Sequence, residues 1–223
     1  MATAKPKPDT SEDLTLPGMI HDLNNVFQNL IEAADLLSAD PRWAPLSASI
    51  LRSIERGKDI TLSMYAIGEP PALFQSVLEK ATLFVEDSVA LRHGPPIRFA
   101  SSVEPGLVLP HPWAWERVLI NLFLNAVRAM PDGGTISSRA LRRDGGIEIV
   151  VADEGGGIAP DLLPVIFDPY VSTKPLGGMG LHVVHSIVQR EEGEVCAANR
   201  EGGGAVFTIT IPAPSPLTRT AGA

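Results

Sequence analysis

Apolar residues recur along this chain with two different periods, and the change of period divides it. Ile20, Leu23, Phe27, Leu30, Ala34 and Leu37 follow one another at steps of three and four, a heptad seam that predicts a helix facing other helices. Pro17 suits the first turn of that helix. Asp40-Pro41-Arg42-Trp43-Ala44-Pro45 breaks it. A second helix is predicted over about 46–67, with Ile50, Ile54, Gly57, Thr61 and Met64 on a facing stripe. Two short helices bury little surface alone, so the hairpin is expected to dimerise into a four-helix bundle. Gly68-Glu69-Pro70-Pro71 then reads as a linker, its prolines ending the helix.

Beyond the linker, helical and strand periods alternate. Helices are predicted over 72–92, with Leu73, Val77, Leu78, Ala81 and Val85 apolar, and over 115–130, stopped by Pro131-Asp132-Gly133-Gly134. A short helix is predicted over 161–167 and another from Leu181 onward. Strands are predicted over 97–103, 107–109, 135–142, 147–152, 194–199 and 205–211, with hairpin signals at Arg143-Asp144-Gly145-Gly146 and Glu201-Gly202-Gly203-Gly204. Helices on one face of a mixed, mostly antiparallel sheet make the fold class α+β. The expected organisation is a polar, disordered tail (1–15), a helical hairpin (16–67), the linker (68–71), the α/β sandwich (72–212) and a second tail (213–223).

Composition narrows the classes of function. The 223 residues allow one large domain or two small ones, and a hydrophobic content of 44% suits a packed core. A net charge of −8 argues against nucleic-acid binding. No apolar run reaches the roughly 18 residues of a membrane span, and the start lacks a signal-peptide core. The expected setting is the cytoplasm. Cys196 has no partner for an internal disulfide and falls in a predicted strand, where a small core residue is expected.

Chemistry gathers in three places. The predicted strand over 147–152 ends on Asp153, followed by Glu154-Gly155-Gly156-Gly157-Ile158; a carboxylate thus meets three glycines, where no Cβ holds the backbone away from a ligand. Gly178-Met179-Gly180-Leu181 leads into a helix, and glycine amides at a helix N-terminus bind phosphate. Asn121 and Asn125 are one turn apart on the apolar helix over 115–130, with Arg128 on the same side. Such amides need partners. Hydrated Mg²⁺ with phosphate oxygens is one answer; capping of neighbouring loops is the other.

These strings resemble the sensor histidine kinases of two-component systems. Asn121-x-x-x-Asn125-Ala is similar to their N box, Asp153-x-Gly155-x-Gly157-Ile158 to the G1 box, Phe167-Asp168-Pro169-Tyr170-Val171-Ser172-Thr173-Lys174 to the F box, and Gly178-x-Gly180-Leu181 to G2. Order and spacing agree over roughly residues 70–212. Two departures are a short lid, Pro175-Leu176-Gly177, and Arg128, where many relatives carry Lys. His21-Asp22-Leu23-Asn24-Asn25 resembles the H box, with His21 beside the seam and Asn25 on its face.

The resemblance implies a Bergerat ATP-binding fold after a dimerisation and histidine phosphotransfer domain. It implies ATP and Mg²⁺ as cofactors and His21 as phosphoacceptor, with Asp22 orienting its ring and Asn25 serving dephosphorylation. Asp153 would take the adenine amine, Gly155, Gly157 and Ile158 would close over the base, and Asn125 would hold the metal with Asn121 beside it. Arg128, Lys174, Gly178, Gly180 and Leu181 would meet the phosphates. The expected partners are a second copy and the receiver domain of a response regulator; a separate sensor protein docking here and an excised core both stay open. Hydrolysing relatives carry Glu one turn before the metal-binding Asn, but this chain has Asn121 there, and an amide cannot take a proton from water. An anti-sigma serine kinase would lack the His21 hairpin. The alternative from another class is a phosphotransfer or adaptor protein with a decayed ATP site.

Overall fold

The computed structural model describes residues 70–91, 94–169, 171 and 180–212, together with 23, 26, 27, 30, 33, 34, 37, 40–43, 45–47, 49–51, 53, 54, 57 and 61. The expectations placed on His21, Asp22, Asn25, Lys174, Gly178 and both tails lie outside the described residues. The chain forms two compact units, 1–69 and 70–223.

In the first unit the described residues from 23 to 37 and from 45 to 61 are helical, apart from a turn at 40–43. Asp40 sets that turn: its carboxylate accepts the Arg42 N–H at 3.0 Å and pairs with the Arg42 guanidinium, which holds the carboxyl below its ordinary range. The two segments touch where the seam and stripe predict. Ala34 and Ile54 are buried, the Ser47 hydroxyl donates to the Ala34 carbonyl at 2.7 Å, and a Cβ on Gly57 would lie 2.8 Å from the Phe27 ring. Other seam positions stay open to solvent: Leu23 and Leu30 are exposed, as is neighbouring Val26.

The second unit starts differently from the sequence expectation. Ala72–Leu73 is a short strand, β1, paired antiparallel with β3, Val108–Leu109. The helix α1 follows as Phe74–Leu91, so Phe74 enters the core and Leu73, expected on its apolar side, is exposed. The helix α2, Pro112–Ala129, opens on Pro112, whose missing N–H costs nothing in a first turn. A five-stranded sheet has the order β2 (Ile97–Val103), β4 (Gly134–Arg143), β5 (Gly146–Ala152), β7 (Ala205–Pro212), β6 (Glu194–Asn199). Only the β2–β4 pair is parallel; the other three are antiparallel. The helix α3, Gly180–Arg190, lies between β5 and β6 in sequence.

One core joins these elements. Val77, Ala81 and Val85 of α1, Trp115, Leu119, Leu122 and Phe123 of α2, and Val184 and Val188 of α3 pack with Ile136, Ile149 and Ile209 of the sheet. Strand β7 alternates buried and less buried residues along its length, as a strand covered on one face must. The mixed sheet with its helices is the expected α+β architecture. Two expectations are corrected. The predicted helix over 161–167 is only a 3₁₀ turn, Leu163–Val165, because Pro164 interrupts the amide ladder. Cys196 is exposed rather than a core residue: alternation on edge strand β6 turns Val195 inward and Cys196 outward. Among the described residues no helix is long and apolar enough to cross a membrane.

Candidate functional site

Helix α2 supplies the ridge on which the site is built. Asn121, Asn125 and Ala129 are spaced four apart and share one face. Helix α3 begins against the first two: a Cβ on Gly180 would lie 2.9 Å from Asn121 Oδ1 and 3.9 Å from Asn125 Nδ2. The glycine loop after β5 lies against the third, since a Cβ on Gly155 would come 2.7 Å from both the Cβ and the carbonyl of Ala129. The 155–157 loop and Gly180 therefore flank one helix face, the loop at its C-terminal end and the α3 N-terminus one to two turns before.

The amide groups on that face are oriented. Asn121 Nδ2 donates to the Arg117 carbonyl at 2.8 Å, which turns its oxygen toward Gly180. Arg128 Nη1 donates to Asn125 Oδ1 at 2.9 Å. Amide oxygens suit a hard cation such as Mg²⁺, which keeps several waters and takes phosphate oxygens as its remaining ligands. No cluster of three or more His, Cys, Asp or Glu exists among the described residues. Asn125 Oδ1 would be the cation's protein ligand, with Asn121 beside it.

Asp153 is 4% exposed at the end of β5. Its Oδ1 accepts the Gly155 N–H at 2.8 Å and the Ala205 N–H at 3.2 Å. Both bonds fall on one oxygen, and Oδ2 takes none from the described residues. A buried carboxylate whose second oxygen is open recognises a donor, such as an exocyclic amine. Glu154 turns the other way, its Oε2 accepting the Thr135 N–H at 2.8 Å.

The structure thus brings together Asn121, Asn125, Arg128, Asp153, Gly155, Gly157, Ile158, Gly180 and Leu181. It also adds residues that the sequence did not single out. Asn199 bonds Ile158 twice, accepting its N–H and donating to its C=O, each at 2.7 Å. Arg200 Nη1 donates to the Asp153 carbonyl at 2.7 Å. Gly204, at φ +90°, packs its Cα so close to the Asp153 carbonyl that any Cβ would collide. The only sequence signal was the run Gly202-Gly203-Gly204, which reads as an ordinary turn. Phe167 is held from α3: His182 Nδ1–H donates to its carbonyl at 3.2 Å, and the His185 ring stacks on it with centroids 5.8 Å apart.

Residues 112–215 match the family described as histidine kinase-, DNA gyrase B-, and HSP90-like ATPase. Sensor histidine kinase ZraS of Escherichia coli K12 is 41% identical over 117 residues, covering 52% of this chain and 25% of that protein. ZraS of Klebsiella oxytoca is 31% identical over 210 residues, 87% of this chain and 45% of its own length. The chain spans between a quarter and a half of these relatives. Among solved structures, the catalytic domain of histidine kinase ThkA matches with TM-score 0.56 at 25% identity, covering 64% of this chain and 94% of that domain. A mycobacterial sensor histidine kinase, MprB, has the same fold with TM-score 0.56 at 23% identity, covering 65% and 97%. With its N and G1 strings and the Gly180–Leu181 start of α3 assembled along one face of α2, residues 112–215 match the histidine kinase-, gyrase B- and HSP90-like ATPase family, and the chain resembles the core of sensor histidine kinases.

Proposed function

We propose that this chain binds ATP with Mg²⁺ along α2, phosphorylates itself on His21, and passes the phosphoryl group to an aspartate in the receiver domain of a response regulator. One observation carries the nucleotide half of this reading: a buried acceptor at Asp153 stands at one end of a helix face whose other end presents the side-chain amides of Asn121 and Asn125 and a helix N-terminus. A ligand with an amine at one end and phosphates at the other fits that order, with adenine toward Asp153 and Ile158 and phosphates toward Asn125, Arg128 and the Gly180–Leu181 start of α3; the family resemblance adds Lys174 and Gly178 to the phosphate contacts. Mg²⁺ held by Asn125 would neutralise phosphate charge.

The chain's own residues then divide the work. Neutral His21, the main form at neutral pH for an unperturbed imidazole, attacks the γ-phosphorus with one ring nitrogen. An N–P bond forms as the P–O bond to ADP breaks, and Asp22 takes the proton from the other nitrogen. In the second step a receiver aspartate attacks the phosphoramidate and the imidazole leaves. Asn121, one turn before Asn125, is an amide that donates to its own helix. It cannot serve as base for water, which favours transfer over hydrolysis. The exposed apolar side chains Leu23, Val26, Leu30 and Leu46 support pairing of the helical unit with a second copy.

The deciding experiment is incubation with γ-labelled ATP. The wild type should take up label that is acid-labile and base-stable, and His21→Ala should take up none while still binding ATP. Label persisting in that variant would overturn the assignment.

A further inference from the structure

Three successive glycines let the loop 155–157 approach a ligand closely, but they also give it the greatest backbone freedom of any sequence. Left alone, such a loop would have to be ordered by the ligand, at a cost in affinity. The β6–β7 hairpin removes that freedom from both ends. At the entry, the Asp153 backbone bonds the hairpin twice: its N–H donates to the Ala205 carbonyl at 3.0 Å, and its carbonyl accepts the Arg200 side chain's Nη1–H at 2.7 Å. At the exit, the Asn199 amide closes on Ile158 from both sides, imitating a strand partner with one side chain. Gly157 crosses this clamp at φ +75°, so close that a Cβ would lie 2.8 Å from Asn199 Oδ1. The hairpin itself is locked by Arg200 N–H to the Gly204 carbonyl at 3.0 Å and Gly203 N–H to the Arg200 carbonyl at 3.2 Å.

We infer that Asn199 is a positioning residue for nucleotide binding: through Ile158 it holds the glycine loop in its ligand-ready shape before the base arrives. This rests on the proposed nucleotide site. Asn199 is exposed and outside the hydrophobic core, so its removal should act on binding and leave folding alone. Only an uncharged group that both donates and accepts can replace it, and a carboxyl group does so when protonated.

The test measures ADP affinity by calorimetry, and melting without nucleotide, for the full chain and two variants. Asn199→Ala should weaken ADP about tenfold while its nucleotide-free melting temperature stays at the wild-type value. Asn199→Asp should bind as weakly at pH 8, where its carboxylate faces the Ile158 carbonyl, and tighten several-fold as pH falls to about 4, the ordinary carboxylate range, and protonation restores both bonds. The other charged groups on the two clamped segments, Asp153, Glu154, Arg200 and Glu201, are common to all three proteins, so the wild-type pH profile is the reference. Wild-type affinity in Asn199→Ala would overturn the inference. So would a pH profile of Asn199→Asp parallel to that of the wild type, or a fall in nucleotide-free melting matching the loss of affinity. An absence of ADP binding by the wild type would instead overturn the nucleotide site, and this inference with it.

Discussion

Gly180 and Asn121 stand so close that a methyl group on the first would come within 2.9 Å of the Oδ1 of the second. The constraint is space, because Gly180 is the first residue of a regular helix. Two effects of Gly180→Ala therefore oppose each other. Alanine favours the helix by up to about 1 kcal/mol, while the new methyl pushes against an amide already tied to the Arg117 carbonyl. The expected result is a melting temperature within a few degrees of wild type and ATP affinity lower by about tenfold. Binding at wild-type strength would show that the Asn121–Gly180 approach does not shape the site.

Asp153 allows its two oxygens to be separated by substitution. Asp153→Asn can keep the acceptor for the Gly155 and Ala205 amides but puts an NH₂ where Oδ2 stood. An amine on the ligand then meets a donor. Nucleotide binding should fall by at least about 100-fold, equal to about 2.7 kcal/mol, with stability little changed. Asp153→Ala should in addition leave two backbone N–H groups without an acceptor, at about 1–3 kcal/mol each, and lower the melting temperature. Calorimetry with ADP and thermal melting on the two variants separate the roles.

The helical unit offers a test through its exposed apolar residues. Phe27 packs against Gly57 within one hairpin, so a charge there would damage the hairpin itself. Val26 and Leu30 are 51% and 42% exposed, and a charge on either falls on a surface that a second copy would cover. Leu30→Glu should convert a dimer into folded monomers, because dimerisation would bury an unpaired carboxylate. Sedimentation equilibrium of the full chain reads the result: a monomeric wild type, or a dimeric variant, would contradict the dimer.

The features legible in the sequence are those carried by side-chain period. Asn121 and Asn125 announce a shared face because a helix brings positions four apart together. The strand ending on Asp153 is legible for a similar reason, a hydrophobic run meeting glycines. What stayed hidden depends on register across the sheet. Asn199 clasps Ile158, 41 residues away in sequence, only because β6, β7 and β5 are neighbours, and no local pattern marks that order. Leu73 fits a helical period as well as a strand, and its pairing with Val108 decides for β1. Cys196 was misplaced because alternation tells that two faces differ, and the register alone tells which one is covered.

The last prediction concerns Asn25, four residues after His21 and so on its face at helical spacing. A regulator that docks its phospho-aspartate against His21 would bring that group near the Asn25 amide. An amide both donates and accepts hydrogen bonds without taking a proton. It can hold a water in line with phosphorus, a positioning role, and cannot act as a base toward the imidazole. Asn25 is therefore expected to serve dephosphorylation more than autophosphorylation. Asn25→Ala should keep most of the label taken up from ATP but slow decay of the regulator's aspartyl phosphate by about 10–100-fold, which corresponds to about 1.4–2.7 kcal/mol of positioning. The measurement is decay of a labelled regulator mixed with ADP and either wild-type or variant kinase. Equal decay with both proteins would remove the role. Loss of autophosphorylation in the variant would place Asn25 in the forward reaction instead.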